Sequence, residues 1–98
     1  MIIVTGSVQA RPETIDEVVT LSLDHVCRSR QEPGCLLHSV HRDIESPLRL
    51  VFLERWRDEG SLRAHFGRDT SRGFVGDLTA LVAEPPEISV YEASPVKL

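Results

Sequence analysis

Ninety-eight residues suffice for one domain with a single small core, and 41% apolar with 27% charged side chains is the balance of a folded globular chain, not a disordered one. Eleven basic against fifteen acidic side chains leave a net charge of −4, with no basic run long enough to hold a phosphate backbone, so no nucleic-acid partner is expected. The opening "MIIVTGSVQA" has no positive leader and nothing approaches the roughly 20 apolar residues that cross a bilayer, so a cytoplasmic protein without a membrane partner is expected.

Residues 2–10 alternate as a strand, with Ile2, Val4, Val8 and Ala10 on one side. "RPET" turns the chain, and Thr14 with Glu17 makes the T-x-x-E capping pattern. Ile15, Val18, Val19, Leu23 and Val26 then recur at helical spacing to about Arg30, where Pro33 and Gly34 end the run. This register leaves His25 at the helix margin, facing solvent. Residues 35–43 read as a second strand, "IESP" as a turn, and 48–57 as a third strand. Asp58 is placed to cap a short helix through Phe66. Ser71 is the expected cap of a further helix in which Phe74, Leu78, Leu81 and Val82 share a face, ended by Pro85 and Pro86. Residues 87–93 give the last strand. Cys27 and Cys35 form no CxxC pair and are expected as free thiols.

The order strand, helix, two strands, helix pair, strand is the α+β, ferredoxin-like split βαβ plan, with a four-stranded antiparallel sheet and helices on one face, in one domain over 1–98. Strand parity on the third strand groups Leu48, Leu50, Phe52, Glu54 and Trp56, yet Val51 and Leu53 point the other way. On the second strand the same parity separates Leu37 from Leu36 and Val40. Apolar groups on both faces predict that a second sheet covers the one the helices leave bare, and a twofold homodimer supplies it.

Three consecutive stretches, "SRQEPGCLLHSV", "SPLRLVFLERW" and "RDEGSLRAHF", resemble the antibiotic biosynthesis monooxygenase domain family, quinol-monooxygenase-like members included. The shared pattern is E-P-G-C-L, then E-x-W closing a strand, then a short helix ending in His; it continues weakly through "SRGFVGDL" and the last strand. The resemblance implies a dimeric α/β barrel type of ferredoxin-like fold with a pocket between sheet and helices. It also implies one of several activities: oxidation of aromatic polyketides or quinols without metal or flavin, heme degradation, or isomerisation of a small phosphorylated sugar-like signal. Trp56 matches the family's pocket-wall tryptophan and His65 the histidine that ends the short helix.

His65 is the expected catalytic acid–base group, since imidazole titrates near neutrality and takes a phenolic or enolic proton. Trp56, Phe52, Phe66 and Phe74 are expected to form a flat wall for a planar aromatic substrate, with Ser7 or Thr5 as polar contacts from the first strand; the alternative, read first for Phe52 and Phe74, is that they are simply core aromatics. Glu54, alone on an apolar face, is expected to pair with an arginine or to orient His65. Of the other histidines, His38 and His41 fall on opposite faces of the second strand, so one of them is placed to edge the pocket; the sequence spacing of all four matches no metal-ligand motif, so neither metal nor cofactor is expected. Ten of the eleven basic residues are arginines. Arg55, Arg57, Arg63, Arg68 and Arg72 surround the expected site, to meet an anionic group or, more simply, to pair with Asp58, Glu59 and Asp69. Heme degradation is disfavoured: the axial histidine position of the heme-degrading relatives holds Asp77 or Leu78 here, and their first-strand asparagine is replaced by Thr5, Ser7 or Gln9. The second histidine of quinol-type members is Thr70 or Ser71 here. The function expected is therefore a cofactor-independent monooxygenase of a small aromatic quinol or polyphenol using dioxygen; the alternatives are an isomerase of a small anionic metabolite and a non-catalytic binding dimer.

Overall fold

The computed structural model describes residues 1–98. The chain runs β1 (Ile2–Gln9), α1 (Ile15–Ser29), β2 (Cys35–Arg42), β3 (Arg49–Trp56), α2 (Glu59–Gly67), α3 (Asp69–Thr79) and β4 (Glu87–Glu92). The strands form one antiparallel sheet in the order β2-β3-β1-β4, which is the expected split βαβ arrangement. Alternation turns Val8, Leu50 and Phe52 toward the helices, where Val18 and Val26 of α1 and Phe74 and Leu78 of α3 close the main core. Ile2, Val4, Trp56 and Leu62 form a second cluster at the other end of the sheet. Each such burial contributes roughly 1.5–3 kcal/mol.

Asp58 caps α2 as expected, accepting from the Ser61 N–H at 2.8 Å. Four other expectations are corrected. Thr14 makes no cap bond to α1; its hydroxyl accepts from the Arg11 N–H and donates to the Leu81 carbonyl at 2.7 Å, tying the start of α1 to the segment after α3. Ser71 does not cap α3, which already begins at Asp69; it lies buried inside the helix. That helix stops at Thr79, well before Pro85, and Leu81 and Val82 pack on the core from the segment that follows. Finally, His25 does not face solvent. The buried stripe of α1 is Val18, Ser22, His25, Val26 and Ser29, because its turn-by-turn spacing includes the histidine and two serines that close approach to the sheet accommodates.

A bulge in β2 changes the parity read from the sequence. Cys35 pairs with Trp56 but Leu37 with Arg55, so Leu36 is the extra residue and is exposed, while His38 and Val40 stand opposite Glu54 and Phe52 on the helix side. The helices do not reach over β4, all of whose residues are exposed. Ile88 and Val90 on the helix side, and Leu53 and Tyr91 on the opposite face, remain open apolar surface.

The turn from α1 into β2 depends on Gly34, whose φ of 82° lies in the left-handed region. A Cβ there would stand 2.6 Å from Ser61 Cβ and strike Ser61 Oγ, and the Gly34 carbonyl accepts from the Arg57 N–H at 2.8 Å. Gly34→Ala is therefore expected to destabilise the fold by about 1–3 kcal/mol in denaturant titration, with a smaller loss in a Ser61→Gly background. A change within a few tenths of a kcal/mol would contradict this account of the turn.

Candidate functional site

A cavity of about 310 Å³ lies between the inner face of the sheet and the α2–α3 pair. The row Ile2, Val4, Val8, Ala10 on β1 is interrupted by Gly6, and this missing side chain leaves the hollow. Phe52, Phe74, Val75, Leu78 and Ile88 give it apolar walls, and Phe66 stands half-exposed at its edge. His25, Glu54, His65 and Ser71 bring the polar groups. Leu78 fills the wall near the place where heme-degrading relatives were expected to carry a histidine. A second hollow of about 350 Å³, at Met1, Arg57, Asp58, Glu59 and Glu92, holds neither an aromatic ring nor an imidazole.

His65 ends α2 with its ring buried, 2% exposed. Its Nδ1 lies 2.9 Å from Glu32 Oε1, and the Arg68 Nε contacts the same oxygen at 3.1 Å. An ionised carboxylate only accepts, so Nδ1 carries the imidazole proton and the Nε2 lone pair is left bare. Nε2 points toward Glu54 Oε1 at 3.9 Å. Ser71 Oγ is 3.5 Å from Nδ1.

Glu54 is buried on β3 as parity predicts, but no arginine pairs with it. Its Oε1 accepts from the Trp56 indole N–H at 2.8 Å and lies 3.3 Å from His38 Nε2. Burial raises the carboxyl, but His38, the indole N–H and His65 outweigh it and hold Glu54 below the ordinary carboxylate value. The His38 contact is poorly directed, and both His38 nitrogens lack a hydrogen-bond partner. His25 stacks on Phe74 with ring centroids 4.1 Å apart. Burial, then the neighbouring His38 and His65, push His25 down to about 3, so it is a neutral imidazole at physiological pH.

Phe52, Phe66, Phe74, Glu54 and His65 thus meet at one cavity. Trp56 does not line it. The indole is fully buried behind His65, ring centroids 4.7 Å apart, held inward by its bond to Glu54. Ser7 borders the cavity along the strand, yet its register partner Val51 turns its side chain to the outer face, as it does for Thr5 opposite Leu53. No arginine lines the cavity: Arg57, Arg63, Arg68 and Arg72 pair with Asp58, Glu59, Glu32 and Asp69.

Sequence reasoning missed Glu32, His25 and Gly6 as parts of the site; of the His38 and His41 pair, His38 is the one turned inward, opposite Glu54. The signal for Glu32 lay in the E-P-G turn, and for His25 in its place seven residues after Val18.

The antibiotic biosynthesis monooxygenase family model matches residues 1–77. A protein of Synechocystis sp. without an assigned function, sll1783, is 33% identical over 91 residues, 93% of this chain; the chain spans only 62% of that relative's length. YcnE of Bacillus subtilis, which bears a monooxygenase name, is 26% identical over 96% of this chain and 99% of its own. A Deinococcus radiodurans crystal structure carrying the family's name superposes with a TM-score of 0.95 at 27% identity, over 100% of this chain and 97% of that one. By the extent of the family match, borne on the same split βαβ sheet and cavity, the chain belongs to the antibiotic biosynthesis monooxygenase family.

Proposed function

We propose that this chain oxidises a small electron-rich aromatic, a hydroquinone or polyphenol, with dioxygen as co-substrate. The observation that carries the reading is the apolar, aromatic cavity bordered by an imidazole whose proton is held on Nδ1 by Glu32, which leaves Nε2 to accept one. At about 310 Å³ the space is at the lower end of the ~300–1,000 Å³ typical of small-molecule sites, which suits one or two fused rings. Phe52, Phe66 and Phe74 offer faces and edges for the ring, and the Ser71 hydroxyl a polar contact.

His65 Nε2 takes the phenolic proton. The phenolate, more reducing than the phenol, passes one electron to dioxygen, and the radical pair joins at a ring carbon as a peroxide. Cleavage of the O–O bond leaves one oxygen on the ring and releases the other as water, converting a hydroquinone to a hydroxyquinone. The substrate supplies all four electrons that dioxygen accepts, so the substrate's own chemistry calls for no cofactor. The dry walls protect the intermediates and strengthen the polar contacts to the developing oxyanion. An isomerase of an anionic metabolite would want a cation in the cavity, and no arginine or lysine lines it.

Oxygen uptake tests the proposal: anaerobic mixing with a hydroquinone panel, then admission of oxygen. Enzyme-dependent uptake is expected, reduced by about 10²–10⁴-fold in His65→Ala and lost in Gly6→Leu, whose side chain fills the hollow. No uptake above buffer, or uptake unchanged in His65→Ala, would contradict it; quinol binding without uptake would make the chain a binding protein.

The same reading takes the chain as a homodimer in the cytoplasm, where its two unpaired cysteines are at home. Leu53 and Tyr91 on the bare sheet face are the groups a second copy would cover. Sedimentation equilibrium should give twice the chain mass, and Leu53→Glu should halve it; a wild-type monomer at micromolar concentration would contradict the dimer.

A further inference from the structure

We propose that His25, His38 and His65, with Glu54, form a binding site for one divalent first-row transition-metal ion at the inner end of the cavity. The three rings come from α1, β2 and α2, and all are buried. Their centroids stand 5.2, 5.3 and 5.4 Å apart, and one nitrogen from each lies within 4.8 Å of the others.

Proximity is only the start. His38 is 1% exposed with neither ring nitrogen satisfied, an arrangement folded proteins rarely leave unanswered. The bare Nε2 of His65 faces Glu54 Oε1 at 3.9 Å, and that oxygen already takes the Trp56 N–H, so Nε2 has no donor; a cation between the two would answer its lone pair. Glu32 on the far nitrogen of His65, itself held by Arg68, is the outer support that orients metal-ligating imidazoles. Through His25, Glu54 and His65 the cluster borders the cavity, which supplies an entry path and room for a further ligand.

Three imidazoles and one carboxylate oxygen, without thiolate, suit zinc, cobalt(II), nickel or iron(II) better than magnesium or calcium, which take oxygen ligands. With metal–nitrogen bonds of about 2.0–2.1 Å the nitrogens would stand ~3.4 Å apart. From 4.8 Å, the widest pair would close by about 1.4 Å, through ring rotation and a small approach of the three elements. This inference goes beyond the proposed oxidation, which needs no ion, and it uses the same lone pair of His65. Oxygen uptake that persists in chelator therefore leaves the oxidation standing whatever the ion does.

The test is titration of chelator-treated, dialysed protein with Co²⁺. One ion per chain is expected, with the visible absorption of a four- or five-coordinate site. Zn²⁺ at a hundredfold excess over its Kd should raise the melting temperature by about 10 °C or more. His25→Gln and His38→Gln should weaken binding by about 100-fold or more, and Glu32→Gln by about 10–100-fold. Should the histidine variants not fold, anomalous diffraction from zinc-soaked wild-type crystals decides, with a peak expected between the three rings. Wild-type protein that retains no Co²⁺, binding unchanged in His25→Gln and His38→Gln, or an anomalous peak elsewhere would overturn the proposal.

Discussion

The hydrogen bond between His65 and Glu32 sets the chemistry of the site, and three separate segments of chain converge to make it. Glu32 belongs to the turn that Gly34 allows, and that turn is held to the end of β3 by the Arg57 N–H on the Gly34 carbonyl. His65 comes from the last turn of α2, and Arg68 from the junction of α2 and α3. Two donors thus meet one carboxylate oxygen that is itself largely buried. Burial makes the arrangement stiff, because losing either donor would leave part of a charge unanswered in a medium of low dielectric. The stiffness is passed to the imidazole, whose free nitrogen is turned toward Glu54.

A second carboxylate organises the space on the other side of that ring. Glu54 is placed by strand alternation among apolar neighbours, and it is answered by the indole N–H of Trp56, with the edge of His38 nearby at 3.3 Å. The sheet's inner face is therefore divided. One end is aliphatic and aromatic core; the other is a polar cluster sealed by Ile2, Val4, Trp56 and Leu62. The cavity opens where the two meet, at the gap that Gly6 leaves, and small-molecule chemistry needs both kinds of wall.

The fold was largely legible in the sequence because its signals are local. Alternation in β3, the stripe of α1 and the Asp58 cap each depend on residues a few positions apart. The cluster of imidazoles was not legible, since its members are separated by a helix–strand turn and by a strand pair. The bulge at Leu36 also shifted the parity of β2, and a histidine counted among solvent-facing positions proved to share the Val18–Val26 stripe. Trp56 was correctly placed on the inner face with Phe52 and Glu54, but parity does not reveal that the Glu54 bond draws its indole away from the cavity. The hydroxyl of Ser7 was lost to the same alternation that placed the rest of β1 correctly.

Both proposed roles of His65, as proton acceptor and as metal ligand, require its Nε2 to be bare. Long-range proton–nitrogen NMR of the metal-free chain, with its histidines ¹⁵N-labelled, reads the tautomer of each ring directly. The account expects His65 to carry its single proton on Nδ1 and to lose that preference in Glu32→Gln. A proton on Nε2 of His65 in the wild-type chain, alone or together with one on Nδ1, would contradict it.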